Sequence, residues 1–185
     1  STLAHEFQHM INHYNKTLLA YNTESTQTWF TEMLSMLCED MLQSYLEISD
    51  ENSPINRMQS FNTGYYQHGI TEWQNSQNSY ANVYAFGAYL IRNFGGIKLL
   101  SAIGKNKKNN KDSITQALQT LGYDETFDSV FLKFSQALIY EDSNKLTLNK
   151  EITETLDGYE YTFKAFNIWD ISYRQGFKRN YGPYC

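Results

Sequence analysis

His5, Glu6 and His9 stand together near the start of the chain as His-Glu-Phe-Gln-His. Side chains four apart on a helix lie one above the other, so His5 and His9 can offer imidazole nitrogens to one metal ion about 2 Å away. Glu6, about 100° round the helix, borders that point; its carboxylate can hold a water without becoming a ligand, the position of a general base. The chemistry is hydrolysis by metal-activated water: zinc lowers the pKa of water toward neutrality and the carboxylate carries the proton to a leaving amine. The competing reading is a helix with two surface histidines, and the helical pattern around the motif favours the metal.

A catalytic zinc site wants three protein ligands and one open position. A third histidine after a glycine turn is excluded, because Asn12 and Asn15 occupy those two positions. His13 lies two turns from His5, about 12 Å along the axis, and reads as a surface histidine. Glu32 is the candidate. It sits in an otherwise apolar helix face among Phe30, Met33 and Met36, where an unpaired carboxylate is costly and a metal would remove that cost. Glu39, two turns further on, could hydrogen-bond a ligand histidine, but a solvated glutamate is the simpler reading.

The elements that must position these residues follow from periodicity. Leu3, Phe7, Met10, Ile11, Tyr14 and Leu18 predict a helix from Thr2 to about Leu19, with Ser1 and Thr2 as natural caps. Trp29, Phe30, Met33, Leu34, Leu37, Met41, Leu42 and Tyr45 predict a second. From Ile48 to about Gln77 the pattern dissolves into an irregular segment with short helical turns. Tyr80 to Phe94 gives a third helix, closed by Gly95 and Gly96. Shorter helices are expected over Ile97 to Ile103, Ser113 to Leu121 and Phe127 to Tyr140. Residues Leu146 to Cys185 are aromatic and partly alternating, which favours strands or a packed irregular arm. The expected fold is mainly α, with a helical catalytic body over 1–145 and a small strand-containing C-terminal arm over 146–185.

Composition narrows the partners. With 185 residues, 41% hydrophobic, the chain can bury a real core. A net charge of −5 and a lone, asparagine-diluted lysine cluster at Lys105 to Lys111 argue against nucleic acid. No apolar run is long enough for a membrane span, and no leader is evident. Because the motif helix begins almost at Ser1, the chain reads as a fragment of something longer. Cys38 and Cys185 could pair, stay free, or bond elsewhere.

A histidine pair followed by a glutamate in the context Trp29-Phe30-Thr31-Glu32 resembles the gluzincin zinc peptidases, and more narrowly the hyicolysin-type bacterial metallopeptidases. The stretch Ser79-Tyr80-Ala81-Asn82-Val83-Tyr84-Ala85-Phe86 is similar to the aminopeptidase segment Y-E-K-G, with Asn82-Val83 in place of Lys-Gly. The likeness covers roughly residues 1 to 140. It implies a zincin-like helical subdomain in which His5, His9 and Glu32 hold Zn2+, Glu6 activates water and Tyr80 donates a hydrogen bond to the oxyanion. His68 could fill the last role instead, or be a loop histidine, and Tyr80 could be core packing. The resemblance further implies a bacterial, secreted or cell-surface metalloendopeptidase acting on protein or peptide substrates, with a β-rich subdomain upstream whose edge strand binds substrate. An aminopeptidase and a degenerate, non-catalytic binding module are the alternatives; the intact Glu6 argues against the second.

Overall fold

The computed structural model describes residues 2–21, 25–140 and 150–165. The chain is mainly helical, with a small two-stranded antiparallel sheet, as the sequence predicts. Helix α1 (Thr2–His13) runs into a π-helical turn at Tyr14–Leu18. Helix α2 (Thr28–Gln43) follows, then 3-10 turns at Asp50–Asn52 and Pro54–Arg57, then α3 (Met58–Gly64) and α4 (Gln77–Asn93). Helices α5 (Gly96–Lys105), α6 (Asn110–Thr120) and α7 (Phe127–Tyr140) precede strands β1 (Ile152–Leu156) and β2 (Tyr159–Phe163).

Helix α4 is the centre of the core. Ala81, Val83, Tyr84, Ala85, Phe86, Ala88, Tyr89, Leu90 and Ile91 are all buried, the mark of a helix covered on every side. Ser76 begins it, its Oγ accepting the Ser79 amide at 3.2 Å. Gly87 lets α2 approach closely, since a Cβ there would meet Met33 Cγ at 2.7 Å. On the opposite side Phe127 and Phe134 of α7 pack against Phe86 with ring centres 5.3 and 5.7 Å apart. A buried ion pair also ties α2 to α4: the Arg92 guanidinium donates to both Asp40 oxygens at 2.8 and 3.1 Å, and the Tyr84 hydroxyl donates to the same carboxylate at 3.1 Å.

The hairpin turns at Asp157 and Gly158, both at positive φ, the backbone that a tight two-residue connection needs. It docks on two helices. Ser44 Oγ donates to the Thr162 carbonyl at 3.1 Å, and Glu154 accepts the Ile97 amide at 2.6 Å at the start of α5, where a carboxylate complements the helix dipole. The expected strands of the arm therefore exist over 152–163; its remainder from 166, with Cys185, lies outside the described residues.

The face that α1 packs with is not its apolar one. The stripe Leu3, Phe7, Met10 and Tyr14 is exposed, Leu3 by 83% and Met10 by 66%, while the inward side carries His5, Gln8, Asn12 and Lys16. Periodicity predicts the helix correctly but says nothing of which stripe meets the rest of the molecule. The proposed cap at Ser1 lies outside the described residues.

Candidate metal centre

Helix α1 lies across α2 so that its polar inward stripe meets the one acidic stripe of α2. Glu32 and Glu39, two turns apart on α2, both reach His5: Nε2 lies 3.1 Å from Glu32 Oε2, and Nδ1 lies 2.8 Å from Glu39 Oε1. His9 Nε2 lies 3.6 Å from the second Glu32 oxygen, and the two imidazoles stand edge to face with centres 4.9 Å apart. Ligating atoms of His5, His9 and Glu32 fall within 4.8 Å of one another. Two imidazoles and one carboxylate converging from two helices make a donor set that suits a three-ligand metal site.

The electrostatics fit a cation. Hydrogen bonds to Glu32 and then Glu39 outweigh the cost of burial and raise the His5 imidazole to about 9. A field that holds a proton so firmly also favours a metal cation. Glu39 overturns the expectation of a solvated glutamate. It is buried, and by accepting from Nδ1 it fixes the ring so that Nε2 faces His9 and Glu32.

His5, Glu6 and Glu39 line a cavity of about 600 Å³ together with much of the segment 51–60. Tyr80, in the first turn of α4, lines it as well. Its phenol stays protonated to higher pH than usual, first because it is partly buried, then because the Glu32 and Glu6 carboxylates are near; Arg57 opposes them. The structure thus brings Glu6 and Tyr80 to the cavity that His5 borders. It leaves two other histidines out. His13 is exposed at the end of α1, as expected of a surface residue. His68 is buried and absent from the cavity wall; its Nε2 lies 2.9 Å from Ser79 Oγ and its carbonyl accepts from Asn82 at 3.2 Å, so it braces the start of α4.

Arg57 was not singled out in the sequence. Its Cζ lies 4.8 Å from the centre of the Tyr80 ring, and it lines the same cavity. The one available signal was that it is the sole Lys or Arg between Ile48 and Gln77.

On a mainly helical body, two imidazoles and a carboxylate brought together form a cluster able to hold a metal ion. The chain belongs to the peptidase M30 family, whose model matches residues 1–147. It is also 30% identical over 123 residues to the neutral metalloprotease ShpI of Staphylococcus hyicus. That match takes in 64% of this chain and 27% of the relative, so the chain spans only a minor part of that protein's length.

Proposed function

We propose that the chain carries the catalytic helices of a zinc metalloendopeptidase. His5, His9 and Glu32 would hold Zn2+, and Glu39 would orient His5. Zinc there would supply a Lewis acid that acidifies water and polarises a carbonyl. The Glu6 carboxylate takes the proton of the attacking water and returns it to the leaving amine. Tyr80 donates its phenol hydrogen to the oxygen that gains charge, a role its upward pKa shift suits because the proton remains in place near neutrality. The observation that carries this reading is the convergence of three ligand side chains from α1 and α2 beside a cavity that Glu6 and Tyr80 share.

The substrate in this reading is a protein or peptide in extended form. A β-rich subdomain upstream of α1 belongs to the same proposal, in keeping with the exposed stripe of Leu3, Phe7, Met10 and Tyr14. So does the division into a helical body over 1–145 and an arm over 146–185. Export from a bacterium rests on the family resemblance alone. Among the described residues no helix is long and apolar enough to cross a membrane.

Metal content tests the proposal. After stripping and zinc addition, mass spectrometry should find one zinc per chain, weakened or lost in Glu32→Ala and His9→Ala. Glu6→Gln should keep the zinc while cleavage of a quenched-fluorescence peptide falls about 100-fold or more. Undiminished zinc in Glu32→Ala would move the third ligand elsewhere, and a chain that takes up no zinc would end the reading.

A further inference from the structure

Arg57 closes the 3-10 turn at Pro54–Arg57 and lines the cavity that His5 borders. The turn is braced. Ser53 Oγ accepts the Ile55 amide at 3.3 Å and donates to the Asp50 carbonyl at 3.1 Å, while Gln43 of α2 donates to Asp50 Oδ1 at 2.6 Å. Stacking on Tyr80 then fixes the guanidinium itself, Cζ lying 4.8 Å from the ring centre.

What this cation lacks is an anion. Among the described residues no hydrogen bond or ion pair engages the Arg57 guanidinium, although its side chain is only partly exposed. Among the described residues it is the one Lys or Arg on the cavity wall, where the other charged groups besides His5 are Glu6, Glu39 and Glu51. Glu39 is engaged by His5, and no ion pair joins Glu51 to Arg57. A guanidinium carries five N–H donors in a rigid fork that matches a carboxylate two by two. Held by its face against a ring, it can present its edge to a ligand.

We propose that Arg57 is a specificity-determining residue that binds a carboxylate of the substrate close to the scissile bond. Elsewhere in the cavity the glutamates repel such a group, so selection is confined to the position that reaches Arg57. The carboxylate has two sources: an Asp or Glu side chain, or a peptide C-terminus.

The proposal rests on the peptidase reading for its substrate, and the experiment separates the two. The probes are N-acetylated, C-amidated peptides with Glu or Gln at each position around the cleaved bond, and the Gln peptides with a free C-terminus. Calorimetric binding to zinc-loaded Glu6→Gln protein is read alongside kcat/KM of the wild type. One Glu-containing peptide should bind about 10-fold or more tighter than its Gln twin and show a matching kcat/KM ratio. In Arg57→Gln both ratios should fall to near one, with Arg57→Lys between, at unchanged zinc content and melting temperature. Preference for the free C-terminus instead assigns Arg57 to that carboxylate. Equal binding of all probes, or a Glu preference that survives Arg57→Gln and Arg57→Lys, overturns the proposal. Selective binding without cleavage by the wild type would fail the peptidase reading while leaving the carboxylate site standing.

Discussion

The contact between His5 Nδ1 and Glu39 Oε1 at 2.8 Å decides which imidazole nitrogen turns toward Glu32. A carboxylate in that place fixes the tautomer and raises the basicity of the ligand nitrogen. Glu39→Gln keeps an acceptor but loses the charge, whereas Glu39→Ala loses both. Zinc affinity, measured by competition with a chromophoric chelator, should fall about 10-fold in the first and toward 100-fold in the second. Wild-type affinity in both would leave Glu39 without a part in the site. Much of this site was legible. His5, Glu6 and His9 follow from spacing, and Glu32 from the cost of an unpaired carboxylate on an apolar face. Glu39 could have been read more boldly, since it shares that face. Arg57 could not, because an irregular segment has no period to place its side chains, and the pairing of Asp40 with Arg92 joins distant helices without a local pattern.

At the scale of elements, the helices were legible because their apolar residues recur at threes and fours, whereas the direction α1 faces was not. Its inner end is held by Lys16, whose ammonium donates to the Asn106 carbonyl at 2.7 Å and to Ser113 Oγ at 2.9 Å. The Ile103 carbonyl and Asn106 Oδ1 accept as well, so one buried cation ties the π-helical turn to the ends of α5 and α6. Burial pushes Lys16 down to about 8 from an ordinary 10.5. Between those values the unfolded chain binds more protons than the native one, so stability rises with pH. The contribution is complete above the unfolded value and is lost as pH falls through about 8. In urea unfolding at pH 7 and pH 10, wild type should gain on the order of 2 kcal/mol relative to Lys16→Met. Parallel behaviour of the two would show that the surrounding oxygens cancel the effect of burial.

The whole molecule divides between an apolar core and a helix, α1, that polar contacts hold to it. Helices α2, α4 and α7 share an apolar interior built on Trp29, Phe86, Phe127 and Phe134, reinforced by the buried pair of Asp40 and Arg92. Helix α1 contributes none of the buried apolar residues of that core; it is held by His5 to two glutamates, by Gln8 accepting from Cys38 at 3.3 Å, and through the following turn by Lys16. Metal ligation by α1 and α2 together would therefore be a principal tie between α1 and the rest. A ligand at about 100 times its dissociation constant stabilises the native state by about 2.7 kcal/mol, all of it lost on chelation. Removing the metal should lower the melting temperature and, in amide hydrogen exchange, deprotect α1 and the amides of α2 around Glu32 first. Amides in the middle of α4 should keep most of their protection, because their burial does not pass through the site. Uniform loss across α1 and α4 would mean that the molecule opens as one unit, and no change in α1 would mean that its polar contacts hold it without the metal.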